Sequence, residues 1–336
     1  MPLPADYEKQ VYTSLTGKVI GVYLGRPFEG YTRERIKERW GNITGYVHED
    51  QNVPLIVADD DISGTLTFIR TLEDSGLYQD TPDDFYGKTW LNYLLENQTV
   101  LWWGGVCNST EHTAFDKLKR GIPSPLSGSM QMNGKIVAEQ IGAQIFIDAY
   151  GMVCPANPEL AVKLAKKAAS VSHDGEAVYA AMTVAAMISI AFEEKCMDTI
   201  LDKAIQYIPA DSKIAEIHRT VRQWAAEDKD WEKTYDRINE KYGYHIYGGN
   251  CHVIPNHAIM VMAWAYSGND FYKAMSIICS AGWDTDCNAA NVGSVSALVA
   301  GLENLDKDYD FRSPMADRIL LPSADGTYSA ADVFQQ

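Results

Sequence analysis

Residues 176–192 form a run of Ala, Val, Met and Ile broken by only Glu176, Tyr179, Thr183 and Ser189 and closed by Phe192. A segment apolar nearly all round has no face to give to water, so it predicts a helix buried on every side. Such a helix needs neighbours, and the chain supplies them. Ile62, Leu66, Ile69 and Leu72 recur at a spacing of three to four. Asn157-Pro158-Glu159 opens a helix through Leu160, Leu164 and Ala168. Further helices are expected at 197–207, 211–227, 256–266 and 270–280, and another from near Asp286 to about Gly301. Alternating β-branched segments are scarce. The expectation is an all-α fold of compact, orthogonal helices, as one domain over 1–336. After residue 303 the chain is polar and poorly periodic, and is expected to wrap over the surface.

Apolar residues make up 46% of the 336, enough for a large core. No apolar run approaches the roughly 20 residues that span a bilayer. The start, Met1-Pro2-Leu3-Pro4-Ala5-Asp6, lacks the basic and apolar parts of a signal peptide. The six cysteines form no Cys-x-x-Cys pair, which fits a reduced, cytoplasmic protein and argues against a zinc ribbon. A formal charge of −16 disfavours nucleic acid and anionic membrane as partners. A small-molecule substrate remains.

Two acidic clusters carry the chemistry. Asp59-Asp60-Asp61 precedes Ile62-Ser63-Gly64-Thr65, and Asp284-Thr285-Asp286 follows Ala281-Gly282-Trp283. Each stands where a loop enters a helix. Aspartate is a favoured N-cap, and negative charge suits a helix N-terminus, so capping competes with any catalytic role. Three consecutive aspartates exceed what one cap needs. Brought together, the clusters would make an oxygen-rich cage for a hard divalent metal. Gly282 permits close backbone approach. Ala289, Ala290, Gly293, Ser294 and Ala297 form a small-residue face onto which another helix can pack.

Weaker signals surround these. The loops at 25–31, 102–110, 121–134 and 243–256 are rich in Gly, Pro and aromatics, and binding residues concentrate in such loops. Trp102, Trp103, Trp283, Tyr247 and His252 can stack on a base or sugar face, though core packing explains each equally well. Gly248-Gly249-Asn250 allows a ligand near the backbone, but two-glycine turns are common. His173, at the turn before the buried helix, fits a structural hydrogen bond as well as a place beside a pocket.

Four segments occur in order: Gly21-Val22-Tyr23-Leu24-Gly25-Arg26-Pro27-Phe28-Glu29-Gly30, Asp60-Asp61, Ser172-His173-Asp174-Gly175-Glu176-Ala177-Val178 and Gly282-Trp283-Asp284-Thr285-Asp286. Together they resemble the ADP-ribosylglycohydrolase family, dinitrogenase reductase-activating glycohydrolase-like, over about residues 10–302. The Thr110-to-Gly121 stretch resembles another family segment. The resemblance implies an all-α fold and a binuclear magnesium or manganese centre (Mg2+ or Mn2+, two per chain). It gives Asp60, Asp61, Asp284 and Asp286 as carboxylate ligands, with Asp59 and Cys287 where the family has hydroxyl ligands. It sets Glu29 near the metals. It would also set His173 beside the substrate; Glu29, Trp283, Gly248, Gly249 and His252 are, from their own chemistry and position, the further candidate substrate contacts. Glu29, Asp60 and Asp286 are the candidate catalytic residues.

Departures accompany it. The usual Gly-Asp-Ala is Gly21-Val22-Tyr23, and Asn133-Gly134-Lys135-Ile136-Val137-Ala138-Glu139 lacks the family's arginine. Because a thiol suits a hard metal poorly, Cys287 is expected to turn away and Asp59 to supply an oxygen in its place. The expected activity is metal-dependent hydrolysis of a glycosidic bond to ADP-ribose or a related ribose-like sugar, in a small glycoside or an ADP-ribosylated substrate. The alternatives are an O-glycosidase for a sugar other than ADP-ribose, an isoprenoid synthase, and a non-catalytic ADP-ribose binder or crystallin-like structural protein.

Overall fold

The computed structural model describes residues 3–326 and 329–335. The expected all-α fold is present. The Glu176–Ala191 helix is the buried centre, with residues from Ala177 to Ala191 enclosed except Tyr179. Helices at Pro158–Ala169, Met197–Ala204, Lys213–Asp228, Val253–Ser267, Phe271–Ser280 and Thr285–Ala300 fall where periodicity placed them. The stretch after the first cluster divides in two, Asp60–Phe68 and Arg70–Ser75.

The periodicity count missed four long helices: Tyr7–Gly25, Asp83–Tyr93, Thr110–Lys119 and Trp231–Tyr242. The first matters most. From Thr13 to Gly25 it is buried on every face, so it lacks the polar stripe by which an amphipathic helix is recognised. It packs antiparallel on Thr285–Ala300 with almost nothing between the backbones. A Cβ on Gly17 would lie 2.3 Å from the Gly293 carbonyl oxygen, on Gly21 2.0 Å from that of Ala289, and on Gly25 2.4 Å from that of Thr285. The small-residue face read from the sequence thus meets a glycine ridge with one residue every four. Ser14 and Ser294 share a hydrogen bond at 2.9 Å farther along the pair.

Two short pairings draw the loops together. Tyr31–Thr32 runs antiparallel to Gly282–Trp283, and the Gly30 N–H donates to the Trp283 carbonyl at 2.8 Å. Arg318–Leu320 pairs with Ala330–Asp332. Beyond residue 303, Leu305, Phe311, Met315, Ile319, Leu321 and Val333 are all buried. The Tyr23 hydroxyl donates to the Arg318 carbonyl at 3.0 Å, tying this segment to the first helix. Among the described residues, no helix is long and apolar enough to cross a membrane.

Candidate active site

The glycine ridge fixes the site. It brings the end of the first helix against the start of Thr285–Ala300, so the turn Arg26–Phe28 and Glu29 stand beside Asp284 and Asp286. Gly282 and Trp283 both have positive φ, +80° and +66°. A bulky residue rarely adopts that conformation, and it persists only where its surroundings enforce it. Tyr235 and Tyr244 supply that enforcement, their rings 5.3 and 5.4 Å from Trp283. The bent backbone directs the following aspartates into a cleft.

The cleft holds about 530 Å³. Glu29, Asp60, Glu111, Asp284 and Asp286 are its acids, Trp102, Trp103, Tyr244 and Trp283 its aromatics, and Cys287 also lines it. None of the described lining residues is Lys, Arg or His. Asp61 lies behind this wall, wholly buried. Ligand atoms of Asp61, Asp286 and Cys287 lie within 4.8 Å of one another, as do those of Glu29, Asp284 and Asp286, and of Asp59, Asp60 and Asp61.

Hydrogen bonding separates capping from ligation. Asp59 is a true N-cap: its Oδ1 accepts from the Asp61 N–H at 2.9 Å, and its Oδ2 is bonded by Arg26. Asp284 holds the N-cap position of its helix without a capping bond from its side chain. Asp286 Oδ1 accepts the neighbouring Cys287 N–H at 3.0 Å, and its Oδ2 lies 4.0 Å from Arg26 Nη1. Neither oxygen of Asp61 has any hydrogen-bond partner. The nearest relief is Lys18, but its ammonium is directed to Asp148 at 3.0 Å and the Ile145 carbonyl at 2.8 Å. Burial, reinforced by neighbouring negative charge, holds the carboxyls of Asp60, Asp61, Asp284 and Asp286 well above the ordinary carboxylate range. The Glu29 side chain is exposed in the cleft. Desolvation by the crowded wall, then the charges of Asp284 and Asp60, push it up to about 8. A divalent cation would satisfy these groups together, and this donor set of hard oxygens fits magnesium or manganese.

Two expectations change. Cys287 does not turn away: it faces the cleft with its sulfur beside Asp61 and Asp286. Cys287 lies in the first turn of Thr285–Ala300, the end of that helix that abuts the cleft. Burial, followed by the surrounding aspartates, holds the thiol protonated. Both Asp59 oxygens are already engaged, one by the cap and the other by Arg26.

Of the proposed substrate contacts, Glu29 and Trp283 line the cleft. His173, His252, Gly248 and Gly249 do not. His252 is a buried N-cap whose Nδ1 accepts from the Ile254 N–H at 3.2 Å, and burial lowers it to about 4. Gly249 packs on the Gln140 side chain and Gly248 on Ile136. His173 is buried, with Nδ1 2.7 Å from the Ser172 hydroxyl and Nε2 3.7 Å from Glu111 Oε1. It therefore backs the cleft wall through Glu111.

Glu111 and Arg26 are the residues the sequence reading missed. Glu111 sits in the first turn of Thr110–Lys119, where an acid reads as ordinary helix chemistry. Its Oε2 accepts from the Ser109 hydroxyl at 3.0 Å. An added Cβ on Gly142 would strike Oε1 at 1.8 Å, so that glycine leaves it room. Arg26 stood inside a quoted motif, and only its contact with Asp59 reveals a role.

An all-α scaffold with an acidic, aromatic cleft between two helix starts defines the class: a helical protein whose cleft groups acids that could hold a metal ion. The chain belongs to the ADP-ribosylglycohydrolase family, whose sequence pattern matches residues 3–331. Membership supports glycohydrolase activity in general. The chain is 22% identical over 331 residues to an uncharacterized protein of Archaeoglobus fulgidus, covering 93% of this chain and 96% of that one. It also resembles the solved structure of an ADP-ribosylglycohydrolase-related protein complex, with a TM-score of 0.62 and 17% identity over 93% and 96% of the two chains. At that identity the likeness speaks for the fold.

Proposed function

We propose that this protein is a divalent-metal-dependent glycoside hydrolase that cleaves the bond between a ribose-like sugar and its leaving group. The observation that carries this is Asp61: a carboxylate with both oxygens buried and unpartnered, beside Asp286 and behind an acidic cleft. Leaving such a group unsatisfied costs on the order of 1–3 kcal/mol or more. A protein keeps it where a ligand completes it.

Asp61, Asp284, Asp286 and Glu29 would hold the cation, magnesium or manganese, which supplies Lewis acidity towards sugar hydroxyls and an attacking water. The chain's own groups do the rest. Trp283, fixed by Tyr235 and Tyr244, presents a rigid wall for a sugar or base face. The cleft carboxylates stabilise positive charge developing at the anomeric carbon. Water oxygen bonds to that carbon as the glycosidic bond breaks, and the leaving atom takes up a proton. Glu29 moves the proton at its carboxyl oxygen, in reach of cleft water. Glu111, buried on the cleft wall and braced by Ser109, shapes that wall from its other side.

A second reading concerns the substrate. The lack of any Lys, Arg or His among the described lining residues favours an uncharged glycoside with a flat aromatic or sugar leaving group over one bearing a diphosphate. A panel of glycosides assayed with Mn2+, including ADP-ribosyl-arginine and unphosphorylated nucleosides, tests both points. Turnover that survives exhaustive chelation rules out the metal-dependent mechanism.

A further inference from the structure

Arg26 lies within the acidic constellation itself. It follows directly after Gly25, the last residue of the glycine ridge, so its backbone is held against Asp286. Its Nη1 bonds Asp59 Oδ2 and stands 4.0 Å from Asp286 Oδ2. The Asp59 side chain is fully buried, while that of Arg26 is 31% exposed, so the pair closes the site from one side only. A guanidinium is always charged at accessible pH and holds a carboxylate in fixed geometry. Asp59 thus has one oxygen on the Asp61 N–H and the other on a permanent cation. The Asp59 charge is thereby balanced, and Arg26 repels a metal of the same charge sign from that side.

On the opposite side the acids are less firmly engaged. Asp61 keeps two unpartnered oxygens, Asp284 makes no capping bond, and Glu29 stands open to the cleft. We propose that Arg26 is a built-in cation occupying the Asp59 side of the cluster, so that the site takes one divalent ion, on Asp61 and Asp286 with Asp284 and Glu29, and not two. This rests on the metal-dependent function proposed above. It makes Arg26 a positioning residue: removing its charge should open a second ion position on Asp59, Asp60 and Asp61.

The test is metal content and spectroscopy with Mn2+ alone. Chelated and reloaded protein is measured by elemental analysis and by electron paramagnetic resonance, for wild type, Arg26→Met and Arg26→Lys. One Mn2+ per chain is expected in wild type, with an isolated-ion spectrum. Arg26→Met should bind two, with spin coupling between them, and Arg26→Lys should stay near one. Two ions in wild type overturn the inference while leaving metal dependence intact. One ion in both wild type and a folded Arg26→Met also overturns it, because Arg26 then blocks nothing. Should Arg26→Met not fold, wild type and Arg26→Lys still decide: a count of two in either contradicts a built-in cation. No bound Mn2+ in wild type removes the metal-dependent function itself, and this inference with it.

Discussion

Thr285 donates its hydroxyl to the Gly25 carbonyl at 2.8 Å, locking the end of the first helix to the start of the helix that carries Asp286. Through this contact, Glu29 and Asp286 are positioned by helix packing rather than by loop conformation. Gly21→Ala should therefore act on both fold and site. Its Cβ would meet the Ala289 carbonyl at 2.0 Å, and the backbones must separate. Overpacking of this kind destabilises by about 1–3 kcal/mol. Denaturant melts should show that loss, and Mn2+ affinity should fall with it. A variant as stable as wild type would mean the helices are not held at this distance.

Asp286→Asn should lose far more activity than stability. The amide matches the carboxylate in size and can still accept the Cys287 N–H, but it removes a charged ligand. A fall in kcat of roughly 10²-fold or more is expected, the scale at which catalytic charge stabilisation operates. Near-normal turnover would reduce the second acidic cluster to a helix feature.

The metal-free protein should become less stable as pH rises from about 5 to 8. Glu29 has its carboxyl raised to about 8, and Asp60, Asp61, Asp284 and Asp286 are raised too. In that window the unfolded chain has released protons that the folded chain still holds. Stability then falls with pH, because the unfolded state binds fewer protons. Below the ordinary carboxylate range both states are protonated and the effect vanishes. Mn2+ should cancel the fall, since it binds the deprotonated carboxylates. Melting temperatures across that range, in chelator and in Mn2+, check the sign. A chelated protein that gains stability towards pH 8 would contradict it.

ADP-ribosyl-arginine should be a poor substrate beside an unphosphorylated aromatic glycoside. The cleft offers four aromatic side chains, and the neighbouring cation, Arg26, is already bonded to Asp59 rather than lining the cleft. Comparing kcat/KM for the two checks this, and efficient release of ADP-ribose from arginine would refute it.

Much of this was legible in the sequence. The 176–192 run announced a buried helix, and the small residues after Asp286 announced a close partner helix. The partner was hidden because the Tyr7–Gly25 helix is buried all round and shows no stripe. The carboxylates were legible for the opposite reason: three aspartates exceed a cap, and the hydrogen bonds confirm that Asp59 alone caps its helix. Contacts between side chains far apart in sequence were not legible. Arg26 with Asp59, Glu111 with His173, and the Gln140 side chain under Gly249 depend on which groups the fold brings together. His252 looked like a ligand contact because its flat ring can stack on a base or sugar face, whereas the fold uses its Nδ1 as a helix cap.

The most direct measurement is the thermal stability of chelated protein on adding Mn2+, for wild type and Asp61→Asn. A ligand at about 100 times its dissociation constant stabilises the folded state by about 2.7 kcal/mol, so wild type should show a clear rise in Tm. Asp61→Asn removes the unpartnered buried carboxyl, and its Tm should be indifferent to Mn2+ and at least equal to that of chelated wild type. An equal Mn2+ response in both proteins, or none in wild type, would contradict a cation held by Asp61.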